Sequence, residues 1–293
     1  GYVTVRSGVR DDALPDPKDR IATLAPFRDG MAALRAGRPA EAVRVLAPFL
    51  DRNPRVRDAW EVYAQALLGE GRNSEALEAA ERMLPLSAPG ASEVLLSVAS
   101  VALSAGRPEA ALRHAAAARA LGDPAADDVL ARAHLAAGDL DGAEEAAAQV
   151  LARGRSPARA LLVLARVATL RGDLPGALKL ADRARDVSEE EAGKLAGLYF
   201  VRGDVLARLG RAGEAEEELP TEIGLFPVRV EALAAAREIA ANVPGPGGIA
   251  AAIRSLEAIG ERAAARELRA GAARRLREEP VLRGKGEAGL AGE

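Results

Sequence analysis

The sequence contains no cysteine and few aromatic residues, and both absences narrow what the chain can be. Without cysteine there is no disulfide, no thiolate zinc site and no cysteine nucleophile, and nothing in the sequence reports the redox compartment. Aromatic residues make up only 3% of the 293 positions, so a core has to be built from Ala, Leu and Val. Because alanine and leucine favour helices, the composition predicts helices packed on helices.

The chain also lacks a strong net charge and a long apolar run. Its formal net charge is -3, which provides no basic field to release counterions from a phosphate backbone, so no nucleic acid partner is expected. The longest uncharged apolar stretch, at 94–105, is well short of the roughly 20 residues that span a bilayer, so no direct membrane insertion is expected. The start at Gly1, without an initiator Met or a signal-peptide pattern, suggests a fragment or processed product.

What the sequence does contain is a recurring phrase, a glycine followed five residues later by an alanine. Glycine can adopt the left-handed conformation that ends one helix, and the polar residues after it start the next. Each phrase therefore predicts a helical hairpin. Successive turn glycines are 34, 35, 32, 34, 38 and 50 residues apart, at Gly37, Gly71, Gly106, Gly138, Gly172, Gly210 and Gly260.

Each predicted hairpin also has a small residue on both helices where they should cross. The first is the alanine five residues after the turn glycine. The second lies seven residues before that glycine in the first six units, at Gly30, Ala64, Ala99, Ala131, Ala165 and Gly203. A larger side chain at either place should push the two helices apart.

This pattern resembles the tetratricopeptide repeat (TPR), with its 34-residue period and its Trp, Leu-Gly, Tyr, Ala, Phe and Pro landmarks. The resemblance covers about residues 21–227 and implies an all-α, right-handed superhelical solenoid of TPR-like helical hairpins. The sequence pattern alone adds a C-terminal capping helix pair to this fold. Other units often have Ala or Leu at the aromatic positions. The unit around Gly71 has its landmarks at Trp60, Tyr63, Ala64, Leu67, Ala76 and Ala80.

The pattern divides the chain into five predicted segments. An extended linker at 1–20 has no helical period, and a TPR-like solenoid of about six repeats covers 21–242. Two prolines and three glycines at 243–248 predict a hinge, because proline and glycine interrupt a helix. A C-terminal helical hairpin cap follows at 249–280, and a glycine-rich disordered tail at 281–293.

The first twenty residues resemble the junction in bacterial sulfatase-like proteins, where an alkaline-phosphatase-type catalytic domain leads into tetratricopeptide repeats. The resemblance implies that the chain is the C-terminal region of a larger hydrolase with its catalytic domain upstream, acting in the periplasm or elsewhere outside the cytoplasm. A cytoplasmic location is the alternative. The matching residues are Gly1, Tyr2, Val3, Leu14, Pro15, Asp16, Pro17, Lys18 and Asp19.

The chain has no motif that carries catalysis, so neither an enzymatic activity nor a cofactor is expected for it. The formylglycine motif of a sulfatase is Cys/Ser-x-Pro-x-Arg, and the "SPAR" stretch at 156–159 lacks that spacing. The two histidines, His114 and His134, have no Cys or paired carboxylate at metal-ligand spacing. No glycine-rich phosphate loop is present.

The candidate site is therefore the concave face, which the first helix of each repeat lines in solenoids of this kind. Residues ten and six before each turn glycine should point into it, together with three residues one turn earlier. These positions are apolar at the N-terminal end, acidic in the second to fourth repeats and basic in the fourth and fifth. The predicted groove residues are Phe27, Met31, Asp58, Glu61, Gln65, Glu93, Leu96, Ser100, Asp128, Arg132, Arg159, Leu162, Arg166, Phe200 and Asp204.

The sequence thus favours a non-catalytic interaction or scaffolding module that binds a protein or peptide in this groove, including its own upstream catalytic domain. Glu61 and Gln65 stand where repeats that clamp C-terminal carboxylates have Lys and Asn, which disfavours that ligand class. Three alternatives stay open: an ordinary mixed surface, an accessory region that positions or oligomerises a sulfatase-like hydrolase, and self-association through an exposed helix of the last repeat. The oligomeric state is not fixed by the sequence.

Overall fold

Every regular element in the described part of the chain is a helix. The structure is a computed structural model that describes residues 24–154, 157–190 and 195–211, with further positions at 213–215, 218, 221–222, 266 and 269–270. These residues form two compact units, one ending at Ala88 and the other starting at Pro89.

The first unit contains two helical hairpins. Helices α1 (Ala25–Arg35) and α2 (Pro39–Arg52) form one, and α3 (Arg57–Gly69) and α4 (Asn73–Glu81) form the other. Each helix packs on the next along the chain, and α1 also packs on α3. A single 3-10 turn at Leu84–Leu86 follows α4.

The second unit repeats this arrangement. Each helix packs on its successor, and the first helices α5, α7, α9 and α11 also contact one another in order, which is the nearest-neighbour packing of a repeat solenoid. The helices are α5 (Ser92–Ser104), α6 (Pro108–Ala120), α7 (Ala126–Ala137), α8 (Leu140–Ala152), α9 (Pro157–Arg171), α10 (Leu174–Glu190) and α11 (Leu198–Arg208).

The turn glycines adopt the predicted left-handed conformation. At Gly138, φ is 79°, and its N–H donates to the Leu135 carbonyl at 3.1 Å while the Asp139 N–H donates to the His134 carbonyl at 2.9 Å. This hydrogen-bond pair is the Schellman helix ending. Gly260 lies outside the described residues. The prediction is confirmed at the other six, which have φ between 68° and 85°: Gly37, Gly71, Gly106, Gly138, Gly172 and Gly210.

The small residues at the predicted helix crossings are buried in all six units. At Gly30 a Cβ atom would lie only 2.6 Å from the Leu46 Cγ, so the backbone of α1 approaches α2 as closely as a glycine allows. The alanine on the second helix of each hairpin has an exposed fraction of 6% or less, at Ala42, Ala76, Ala111, Ala143, Ala177 and Ala215. The low aromatic content follows from this geometry, because closely packed helices leave little volume for rings.

Two second helices begin with an aspartate cap that has a glycine three residues later. The Asp139 carboxylate accepts a hydrogen bond from the Gly142 N–H at 3.0 Å, and Asp173 accepts one from the Gly176 N–H at 2.9 Å. A Cβ at Gly142 would lie 2.4 Å from the Asp139 carboxylate. The Gly142 N–H, followed by His134, lowers the pKa of Asp139 below its ordinary value.

The few aromatic residues of the first unit pack internally. Phe27 stacks on Phe49 with ring centroids 6.2 Å apart, and Trp60 meets Tyr63 edge to face at the same distance. The Trp60 indole N–H also donates to the Pro54 carbonyl at 2.9 Å. Phe49 is thus part of the core of the first unit, and the other three rings pack against it, with the polar atom of Trp60 paired.

Four predicted segments fall on residues that the structure leaves undescribed and stay predictions. They are the linker at 1–20, the hinge at 243–248, the tail at 281–293 and the capping hairpin at 249–280, except for helical positions 266, 269 and 270.

Candidate binding face of the first helices

The predicted groove residues occupy two rows on the first helices. We call the residue six before each turn glycine the outer position, and the residue ten before it the seam position. The outer residues are Met31, Gln65, Ser100, Arg132, Arg166 and Asp204, and the seam residues are Phe27, Glu61, Leu96, Asp128, Leu162 and Phe200.

Every outer residue keeps some contact with solvent. Gln65 and Arg166 are exposed, and the other four are half-buried. The Ser100 hydroxyl donates to the Leu96 carbonyl at 2.8 Å, and the Arg208 Nε donates to the Asp204 carboxylate at 3.0 Å. The outer row therefore offers at least partly accessible side chains on each first helix.

The seam row is more deeply placed, and two of its members need correction. Leu162 and Phe200 are each only 7% exposed and belong to one core cluster with Ala165 and Val205. They pack inside the second unit because α9 and α11 contact each other there. Both residues are thus core residues that offer almost no surface to a ligand.

Three further seam residues are also partly withdrawn from solvent, although less deeply than Leu162 and Phe200. Phe27 is half-buried and stacks on Phe49, while Glu61 and Leu96 are half-buried. The two acidic residues one turn earlier are exposed: Asp58, which pairs with Arg57 at 3.0 Å, and Glu93. The acidic character predicted for these repeats therefore comes mainly from the turn before the seam.

At the fourth repeat the seam is ionic. The Asp128 side chain on α7 is 14% exposed, and its Oδ2 atom accepts a hydrogen bond from the Arg159 Nη1 on α9 at 3.1 Å. The same oxygen lies 3.5 Å from the Arg132 Nη2, one turn further along α7. One carboxylate oxygen thus connects two neighbouring first helices and is shared by two guanidinium groups.

Arg132 is the less exposed of the two arginines in this cluster. Burial lowers the pKa of its guanidinium, the Asp128 charge raises it, and the nearby Arg159 charge lowers it further. Its Nε is shielded from solvent and has no hydrogen-bond partner among the described residues. Because arginine stays protonated even so, the cluster is positively charged and incompletely paired.

Sequence reasoning missed three ion pairs, each with at least one partner largely withdrawn from solvent. Asp127, 2% exposed, pairs with Arg153 at the end of α8. Arg202 on α11 pairs with Asp182 on α10 at 2.9 Å and with Glu218, whose pKa is raised by burial. These partners are 16 to 26 residues apart, so no local pattern announces them.

The described residues contain little that points to other chemistry. His134 lies 2.7 Å from the Asp139 carboxylate beside the cap of α8, and His114 is half-buried on α6. Within the described ranges, no three histidine or carboxylate side chains are grouped to hold a metal ion. Likewise, none of the helices described there combines the length and apolar character of a membrane span.

The stacked hairpins and the open row of side chains define the described part of the chain as a helical-repeat protein. The family model described as "Tetratricopeptide repeat" matches residues 27–92 and 129–192. These matches support the tetratricopeptide assignment over the hairpins α1 to α4 and α7 to α10. A comparison with curated protein sequences gives no match.

Solved structures with a similar fold are repeat proteins of low sequence identity. The type IV pilus biogenesis factor PilW is 20% identical with a TM-score of 0.52, covering 72% of this chain and 96% of PilW. A tetratricopeptide repeat protein from Parabacteroides merdae is 16% identical with a TM-score of 0.51, covering 86% and 93%. The APC/C hetero-tetramer Cut9-Hcn1 is 17% identical with a TM-score of 0.53, covering 82% and 47%. At these identities the similarity concerns the fold alone.

Proposed function

We propose that this chain is a non-catalytic interaction module that holds a peptide or another protein against the outer row of its first helices. The observation that carries the proposal is the open face of α7 and α9, where Asp128, Arg132, Arg159 and Arg166 lie on two helices in direct contact. Residues on packed helices are held at fixed spacing, and a charged face of fixed spacing selects partners by charge order.

Side-chain packing supports the same proposal. The small residues at the crossings and the buried seam residues Leu162 and Phe200 make the helix pairs a rigid support, so the outer side chains are displayed without being needed for the core. Repeat proteins keep the same buried positions and vary the exposed side chains. In this way one architecture binds different partners.

An unbiased peptide selection tests this proposal. A phage-displayed random peptide library is selected against the immobilised chain, and bound peptides are mapped by hydrogen exchange with mass spectrometry. We expect added protection in α7 and α9. Reversing the charges of Arg132, Arg159 and Arg166 together should weaken capture of the selected peptides. A library that yields no binder, or binding that the triple reversal leaves unchanged, would contradict the proposal.

The partner can also be an upstream domain of the same polypeptide, as the sulfatase-like resemblance implies. That alternative depends on residues 1–19, which lie outside the described residues, and the comparisons add no support for it. The sequence of the intact polypeptide decides it, because a formylglycine motif upstream of Gly1 is required.

A further inference from the structure

The cluster on α7 and α9 contains more positive charge than its own aspartate can pair. The Arg159 Nη1 is within hydrogen-bond distance of the Asp128 Oδ2 at 3.1 Å, whereas the Arg132 Nη2 lies 3.5 Å from the same atom, beyond the usual range. Arg132 therefore has a charge contact with Asp128 but no direct hydrogen bond to it.

The incomplete pairing has an energetic consequence. A guanidinium that is withdrawn from water loses hydration that only an anion or hydrogen-bond acceptors can replace. The shielded Nε of Arg132 has no such acceptor among the described residues. The Nε itself is out of reach of a ligand, but a second carboxylate can pair with the exposed edges of Arg132 and Arg159 and offset their positive charge. Both side chains keep a substantial exposed fraction, 35% and 48%.

A third arginine extends the positive face. Arg166 occupies on α9 the same outer position that Arg132 occupies on α7, and it is exposed. It lies seven residues after Arg159, which corresponds to a rise of about 10.5 Å along the helix. Arg166 thus places a further guanidinium group on the same face of α9 as Arg159.

We propose that this face, acting within the interaction module proposed above, binds an acidic peptide segment. One Asp or Glu side chain of the segment lies between Arg132 and Arg159, and a second reaches Arg166. A polyproline II segment advances about 3.1 Å per residue with three residues per turn, so acidic residues three positions apart lie on the same side of it at about 9.3 Å, close to the separation. A C-terminal carboxylate would provide only one anionic group, so two side-chain carboxylates fit this face better.

Asp128 has a distinct role in this arrangement. Its carboxylate occupies the Arg159 guanidinium and repels an incoming anion, so it competes with the ligand for the same donors. Replacing it by asparagine removes the negative charge at nearly constant size. The Asp128→Asn and Arg132→Gln substitutions should therefore change affinity in opposite directions, which a purely structural role for the cluster does not predict.

The test uses fluorescence anisotropy with the full chain and a short, fluorescein-labelled, C-terminally amidated peptide bearing two Glu residues three positions apart. The matched probe has Gln at both positions. We expect the Glu peptide to bind and the Gln peptide to bind at least tenfold more weakly. Arg132→Gln should lower the affinity by about tenfold, as loss of a charge-assisted hydrogen bond implies. Asp128→Asn should raise it severalfold.

Arg183→Gln is the matched control, because Arg183 is an exposed arginine on the second helix α10. It should leave the affinity unchanged, and circular dichroism should confirm that every variant is folded. Equal binding of the Glu and Gln peptides, weaker binding by Asp128→Asn, or binding only of a peptide with a free C-terminal carboxylate overturns the inference. If selected peptides bind but the Glu peptide does not, this inference fails while the interaction module stands.

Discussion

Gly30 and Gly203 occupy the same place in their repeats, yet an alanine should affect stability in opposite directions at the two sites. Both lie in a first helix, seven residues before the turn glycine, and both are buried. Within a helix, alanine is favoured over glycine by about 0.5–1 kcal/mol, because glycine loses more backbone freedom on folding. The contacts that the new Cβ atom would make decide whether the substitution stabilises or destabilises the protein.

At Gly203 the new Cβ would meet the Glu218 Cβ at 3.4 Å and the Ala215 carbonyl at 3.5 Å, which are ordinary contacts. Gly203→Ala should therefore stabilise the protein by about 0.5–1 kcal/mol. At Gly30 the Cβ would lie 2.6 and 2.7 Å from the Cγ and Cδ2 of Leu46, a fully buried side chain. Overpacking of this kind costs about 1–3 kcal/mol, so Gly30→Ala should lower the free energy of unfolding by about 1 kcal/mol net.

Urea denaturation followed by circular dichroism at 222 nm measures both effects, with the denaturation midpoint read at constant m-value. The Leu46→Ala background provides a control for the mechanism, because it removes the atoms that the new methyl group would strike. There Gly30→Ala should become neutral or stabilising, with a coupling free energy of about 1–2 kcal/mol. If Gly30→Ala raises the midpoint as much as Gly203→Ala does, the steric argument is wrong.

Two further predictions concern the helix crossings and the capped turn. Ala143→Leu, at a fully buried crossing, should lower the free energy of unfolding by about 1–3 kcal/mol, whereas Ala148→Leu on the exposed face of α8 should change it by less than about 0.5 kcal/mol. Equal effects would refute the crossing argument. Because the pKa of Asp139 is lowered in the folded state, its ionisation stabilises the fold above its ordinary pKa, and this contribution is lost as pH falls through the lowered value. The stability advantage of the wild type over Asp139→Asn should shrink on acidification in urea titrations from neutral to acidic pH; a pH-independent difference would contradict it.

The hairpin frame could be predicted from the sequence because it depends on local rules. A glycine that ends a helix and an alanine at a crossing are each defined by backbone conformation and by a fixed count of residues. Gly138 and Ala143 illustrate both rules, since one has φ of 79° and the other is fully buried. Neither requires knowledge of which distant residue lies nearby.

The burial and the contacts of the seam residues could not be predicted in the same way. In the second unit a seam residue packs against a neighbouring first helix, so its environment is set by a residue of an adjacent repeat. Leu162 and Phe200 meet apolar neighbours and are buried, whereas Asp128 meets Arg159 and forms an ion pair. A count from the turn glycine assigns all three the same groove position, although only the ionic one contributes polar atoms to the candidate face.

The empty space around the turn glycines has a chemical consequence. No atom lies within 4 Å of the site that a Cβ would occupy at Gly138, and φ there is 79°. The handedness of an L-amino acid therefore disfavours most other residues at this turn, while volume does not. A D-alanine, whose preferred backbone region is the mirror image, fits the same turn and restricts the unfolded chain more than glycine does. Each such hairpin thus has one position where mirror-image chemistry would strengthen the fold without altering any contact.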